Sequence, residues 1–324
     1  MREITFGEAI REALREEMLR DERVFLMGED IGVFGGAFKV SQGLMDEFGE
    51  ERVRDTPISE AAIAGIGVGA AMSGMHPVIE IMFGDFMTIA MDQIVNHAAK
   101  MHYMTGGKAK VPLTIRTTMG AGRSSAATHS QSLHAWFCHI PGLKVVIPST
   151  PYDAKGLLKT AIRDENPVVI FEDKMMYNLK GPVPEEEYLI PFGEADIKRE
   201  GKDVTMVATS SMIHVAMKAA EGLSKQGVEV EVIDPRTLVP LDADVLCDSA
   251  AKTGHVVIVD EGHRQYGVTA ELASVIAEGA FDYLDAPIKR LGAMDVPIPF
   301  TPALEFPTIP DEEVVMNAVL ETLA

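Results

Sequence analysis

Apolar positions along the chain fall into two alternating series, short continuous runs and longer stretches of helical period. Thr5 followed by Glu8, with Ile4 ahead of it, predicts a capping box, and Ala9, Ile10, Ala13, Leu14 and Met18 continue it as the stripe of a helix reaching about Arg20. Apolar runs at 24–27, 77–82, 113–117, 144–148 and 167–172 then read as buried strands, separated by helical patterns at 60–74, 85–103 and 151–163. Residues 173–203 break the rhythm with prolines, Gly181 and the acidic run Glu185–Glu187, as a linker would. The alternation resumes with strands at 204–208, 228–233, 256–260 and 288–291 and helices near 212–225, 242–252, 268–279 and 311–323. Uninterrupted apolar strands between amphipathic helices are the signature of parallel sheets covered on both faces. The expectation is therefore an α/β protein of two domains, residues 1–185 and 186–324, each a mostly parallel sheet with helices on both faces.

Composition narrows the function classes. With 324 residues the chain exceeds the size at which one core keeps growing, which agrees with two domains. The balance of 49 acidic against 29 basic residues, net charge -20, predicts no affinity for nucleic acid or for anionic membranes. Charges interrupt the first twenty residues every few positions, so neither a signal sequence nor a membrane span is expected there. Cys138 and Cys247 are the only cysteines and stand far apart, which argues against a disulfide or zinc framework and for a cytoplasmic setting.

Few motifs carry chemistry by themselves. Gly65, Gly67 and Gly69 match the spacing of a dinucleotide fingerprint, but a turn and a helix start precede them instead of a strand, so they are expected inside a helix where small side chains allow close approach. Ser59 is placed to cap that helix and Glu60 to sit in its first turn, where the macrodipole favours a carboxylate. His129 lies in a stretch from about 118 to 135 rich in Gly, Ser, Ala and Thr and without apolar period. Such long loops within compact domains usually carry function. No serine elbow, phosphate loop or HExxH segment is present.

Taken together, eight ordered segments resemble one family. They are Gly28-Glu29-Asp30, Gly35 to Val40, Asp55-Thr56-Pro57-Ile58-Ser59-Glu60, Phe83-Gly84-Asp85-Phe86 with Asp92-Gln93-Ile94, His129-Ser130-Gln131, Pro141 to Val146, Tyr152 to Leu158, and Val232 to Thr237. In this order they resemble the β-subunits of thiamine-diphosphate-dependent 2-oxo acid dehydrogenases, within the transketolase superfamily, over essentially the whole chain.

The resemblance implies a pyrimidine-binding domain followed by a transketolase C-terminal domain. It implies that Glu60 hydrogen-bonds the pyrimidine ring of the cofactor and favours its imino tautomer, that Phe86 stacks on that ring and that Ile58 touches it. Glu29 would relay protons between active sites, and His129 would orient the lipoyl-linked acceptor. Asp164 and Asn166 match a structural monovalent-cation loop, so K+ is implied there. The GDG-to-Asn segment that holds Mg2+ and the diphosphate is absent, which implies that an α-subunit supplies it in an α2β2 heterotetramer. A lipoyl acyltransferase would dock on the C-terminal domain, with Asp295 near the matching position. Segments 106–112 and 183–195 look closer to pyruvate and acetoin enzymes than to branched-chain ones. The alternatives are a branched-chain enzyme, or a non-catalytic scaffold of the same fold, against which the joint presence of Glu60, Phe86 and His129 speaks.

Overall fold

A computed structural model covers residues 1–324 and divides the chain into two compact units, one formed by Met1–Met119 with Trp136–Phe192, the other by Gly120–Ala135 with Gly193–Ala324. The chain thus changes unit at Phe192/Gly193, and the segment carrying His129 packs with the second unit although it lies between strands of the first.

Six parallel strands form the sheet of the first unit, in spatial order Lys144–Val146, Val168–Asp173, Thr114–Met119, His76–Ile81, Val24–Gly28 and Val53–Asp55. The four inner strands are short and almost continuously buried, as a sheet covered on both faces requires, while the edge strand Val53–Asp55 buries only Val53. The strand order reverses between Val24–Gly28 and His76–Ile81: the chain leaves the first for its outer neighbour Val53–Asp55 and returns on the other side. Such a switch point opens a crevice at the carboxyl ends of the strands. Glu29 is the residue immediately beyond one of these ends.

The first helix, Phe6–Arg20, starts as the pattern requires. The Thr5 hydroxyl accepts from the Glu8 amide at 3.1 Å and the Glu8 carboxylate accepts from the Thr5 amide at 2.7 Å, a capping box contributing about 1 kcal/mol. It packs against the helix Pro151–Arg163, whose fully buried Lys155 and Lys159 pair with Glu16 at 2.6 Å each, while Arg163 pairs with Glu17 at 2.7 Å.

Three local expectations are corrected. The stretch 85–103 is not one α-helix but a 3-10 turn at Gly84–Ala90, a π-helical segment at Asp92–Ala98 and a short α-helix at Met101–Met104. Packing is tight where it begins: a Cβ on Gly84 would lie 2.8 Å from the Thr118 carbonyl oxygen, so the chain enters this stretch pressed against the neighbouring strand. Secondly, 173–203 is not wholly irregular, because Lys180–Val183 pairs antiparallel with Arg2–Thr5 and Asp196–Arg199 forms an antiparallel edge beside Val230–Asp234. Strands of three or four residues have too little period to be seen in sequence. Thirdly, Ser59 occupies the N-cap position of the helix Glu60–Met72 but its hydroxyl makes no capping bond.

The second unit has the spatial order Lys289–Ala293, Val256–His263, Val204–Ala208, Val230–Asp234 and the antiparallel edge Asp196–Arg199. Alternate residues of its strands feed two cores. Met206, Val232 and Val257 meet the helices Met212–Ser224 and Glu312–Leu323 on one face, while Val207, Ile233 and Ile258 meet Ala243–Thr253 and Val268–Ala280 on the other.

Candidate active site

In the first unit the sequence brings carboxylates to the switch point. Glu29 follows its strand directly, and Glu60 opens the helix after the strand Val53–Asp55, where the positive helix end favours a negative group. Both are buried, at 9% and 6% exposure. Burial first, and then the charges of Glu60, Asp30 and Glu80, push the Glu29 carboxyl above the usual carboxylate range. The Glu29 Oε1 atom has no hydrogen-bond partner in the chain. A buried, unpartnered carboxyl oxygen with raised proton affinity can take up and release a proton, or meet a ligand.

Behind this pair lies a buried ion network that the resemblance did not include. The strand register sets Glu80 opposite Arg116. The Arg116 guanidinium donates to Glu80 at 2.7 Å and bidentately to Glu172 at 2.8 Å, and the Tyr177 hydroxyl donates to Glu172 at 2.7 Å. Burial works against the charge of Arg116, but the carboxylates of Glu172 and Glu80 outweigh it and tighten its hold on the proton. Burial also raises the Glu80 carboxyl against the opposing pull of Arg116. A visible signal was a charged residue inside each apolar run, at 80, 116 and 172; a buried strand keeps a charge only when it is paired.

Phe86 is half-buried in the 3-10 turn and packs edge-on to Phe83 at 6.0 Å, which in turn meets Phe38 edge-on at 6.1 Å. Ile58 is 82% exposed, on the turn before Glu60. Gly65, Gly67 and Gly69 lie within the Glu60 helix, where a Cβ on Gly67 would come 3.0 Å from Ile79, so the helix rests directly on the sheet. A separate cleft of about 850 Å3, lined by Asp55, Thr56, Ser59, Ala62 and Ile66 among others, contains neither Glu29, Glu60 nor Phe86.

Asp164, beyond the helix Pro151–Arg163, has its acceptors in use. One oxygen pairs with the Lys144 ammonium and the other accepts from the Asn166 amide at 2.9 Å and its side chain at 3.1 Å. The chain holds no group of three His, Cys, Asp or Glu side chains arranged for a metal ion.

His129 belongs to the second unit and is half-buried, its Nδ1 3.0 Å from the Thr128 hydroxyl. Sequence reasoning passed over His134, which is fully buried with Nε2 3.1 Å from Asp260. Burial opposes ionisation of Asp260, but the charge and hydrogen bond of His134, with further bonds from Thr209 and the Gly262 amide, hold its carboxyl below the usual range. Asp295 is exposed, two residues beyond the strand Lys289–Ala293 of the second unit.

The fold is that of a chain of two α/β units with carboxylates gathered at a switch point, and comparison with known proteins places it in the transketolase class. The model of the transketolase pyrimidine binding domain matches residues 2–180, and that of the transketolase C-terminal domain matches residues 193–315. The chain is 48% identical to the acetoin:2,6-dichlorophenolindophenol oxidoreductase subunit beta of Bacillus subtilis (strain 168), over 99% of this chain and 98% of that one. It is 49% identical to the pyruvate dehydrogenase E1 component subunit beta of Rickettsia felis (98% and 97%) and 47% identical to the 2-oxoisovalerate dehydrogenase subunit beta of Bacillus subtilis (99% and 98%). A solved structure, "Split gene transketolase, inactive beta4 tetramer", superposes with a TM-score of 0.80 at 26% identity, over 99% and 98% of the two chains. The chain belongs to the family of β-subunits of thiamine-diphosphate-dependent 2-oxo acid and acetoin dehydrogenases. No helix is long and apolar enough to cross a membrane.

Proposed function

We propose that this β-subunit works only with an α-subunit, as an α2β2 oxidoreductase that decarboxylates a 2-oxo acid such as pyruvate, or cleaves acetoin, and passes the acyl group to a lipoyl domain. The observation that carries the reading is the buried, unpartnered Glu29 oxygen beside Glu60 at the switch point of a unit matching the pyrimidine-binding model. These residues fit the pyrimidine half of thiamine diphosphate: Glu60 as hydrogen-bonding carboxyl, Phe86 as the stacking ring and Ile58 as an apolar contact. When bound, the cofactor supplies the electron sink that 2-oxo acid chemistry needs. Glu60 hydrogen-bonds at the pyrimidine position, and Glu29 stores and returns a proton where burial first, and then the neighbouring carboxylates, weaken its own acidity. The chain lacks the GDG-to-Asn segment for Mg2+ and the diphosphate, so those fall to the α-subunit. A structural K+ beside Asp164 and Asn166 relies on backbone carbonyls in this proposal, because Lys144 and Asn166 take up the Asp164 carboxylate.

His129 orients and protonates the dithiolane of the lipoyl domain. In the reconstituted enzyme, His129→Ala is expected to slow transfer to a lipoyl domain by on the order of a hundredfold, and reduction of an artificial electron acceptor far less, because only the first reaction docks the dithiolane. Equal losses in the two assays would place His129 in an earlier step.

Asp295, exposed and acidic on a chain of net charge -20, is proposed to meet a basic docking domain of the acyltransferase. Asp295→Ala is expected to weaken that association by about fivefold or more while artificial-acceptor activity stays unchanged. Titration calorimetry at low and high salt reads it, and unchanged affinity at both salts places the docking surface elsewhere.

A further inference from the structure

The segment 120–135 runs through conformations that its residues do not favour. Ser124 and Ala126 sit at φ +54° and +60°, in the left-handed region that is strained for a non-glycine residue. Backbone of this kind keeps one shape only where its surroundings over-determine it. Here two carboxylates do so. The Ala121 amide donates to Glu261 Oε1 at 2.7 Å, the Gly122 amide to Glu305 Oε1 at 2.8 Å and the Ser124 amide to Glu305 Oε2 at 2.9 Å. Glu261, on the strand Val256–His263, is 6% exposed, and Glu305, at the end of the short helix Pro302–Glu305, is wholly buried.

Converging backbone amides form a concavity that suits an anion, and in this protein the anion is supplied from 180 residues further along the chain. An ionised carboxyl is costly to bury unless charge-assisted bonds compensate it. Both oxygens of Glu305 have their donor in the loop stem. From that stem the chain turns through Ala126, whose carbonyl accepts from the His129 amide at 3.3 Å. The backbone of His129 is therefore referred to Glu305 through two consecutive sets of hydrogen bonds.

We propose that Glu305, assisted by Glu261, is a positioning residue that holds the stem of the His129 loop in the one conformation from which His129 serves acyl transfer; this rests on the role proposed for His129 above. A carboxylate is needed because both of its oxygens accept. A glutamine in its place would turn an NH2 group toward an amide N–H.

The test uses the assembled enzyme with Glu305→Gln and, as the variant that keeps two acceptor oxygens, Glu305→Asp, together with His129→Ala. Backbone hydrogen exchange across 120–135 is expected to quicken by about tenfold or more in Glu305→Gln, with the strands Val204–Ala208 and Val256–His263 as protected as before. Transfer to the lipoyl domain is expected to fall on the order of tenfold further than artificial-acceptor reduction. Glu305→Asp is expected to recover part of both. Unchanged loop exchange overturns the proposal, as does quickened exchange spread equally over the two strands, or a loosened loop with full transfer while His129→Ala is impaired. A loosened loop with neither variant impaired in transfer overturns the role of His129 instead, and leaves the anchor standing. Should Glu305→Gln not fold, Glu261→Met, which removes the acceptor of the Ala121 amide together with that of the Ser211 hydroxyl, is expected to loosen the same stem to a smaller degree, and failure to do so overturns the proposal.

Discussion

Glu60→Gln is expected to cut turnover of the reconstituted enzyme by on the order of a hundredfold or more, in lipoyl transfer and artificial-acceptor reduction alike. Glutamine matches glutamate in size and keeps one acceptor, so the helix Glu60–Met72 and its contact with the sheet through Gly67 survive the exchange. What is lost is a proton that can be held at one carboxyl oxygen and shared with a ring nitrogen. Glu29 provides an internal gauge. Part of its raised proton affinity comes from the charge of Glu60, so the substitution should also bring the Glu29 carboxyl down toward its usual range. Steady-state turnover with saturating cofactor is the measurement, supported by circular dichroism as a check of folding. Near-normal turnover would remove Glu60 from the chemistry.

Arg116→Met should destabilise the first unit by about 3–5 kcal/mol, since it leaves Glu80 and Glu172 buried without their cation. At this size that lowers Tm by roughly 6–20 °C. The loss arises from stranded charges and not from missing volume, which a companion experiment can separate. The triple variant Arg116→Met, Glu80→Gln, Glu172→Gln removes the charges together and should recover much of the lost stability, because replacing a whole buried ion group is often close to neutral. Calorimetric unfolding of the three forms reads both effects. If the triple variant is no more stable than Arg116→Met, packing around the guanidinium and not its charge holds this part of the sheet.

The outline of the fold was legible because its carriers are local. A buried parallel strand needs an apolar run, a covering helix needs a stripe, and both leave their period in the chain, as at 24–28, 76–81 and 204–208. The capping box at Thr5 and Glu8 was readable for the same reason, since all its atoms lie within four residues. Elements whose shape is set by distant neighbours were not readable. The stretch 85–103 has the period of a helix, yet it folds into 3-10 and π-helical pieces, beginning where Gly84 lies against the Thr118 carbonyl. The N-terminal strand exists only because Lys180–Val183 comes to lie beside it.

The site divides along the same line. Glu60 and Glu29 could be named because ordered segments around them resemble those of a family, while Glu60 by itself read as no more than a carboxylate in the first turn of a helix. Arg116, Glu80 and Glu172 stood in view as charges within apolar runs, but their partnership depends on the register of three strands whose residues are up to 92 positions apart. His129 stood out by its long polar loop, but only the resemblance gave it an expected role. That the loop packs with the second unit, on carboxylates at 261 and 305, was decided by the tertiary structure alone. By itself the sequence determined two α/β units, their strands and helices, and a family; tertiary structure decided which charges meet, because hydrogen bonds between residues far apart in the chain leave no period and no spacing to read.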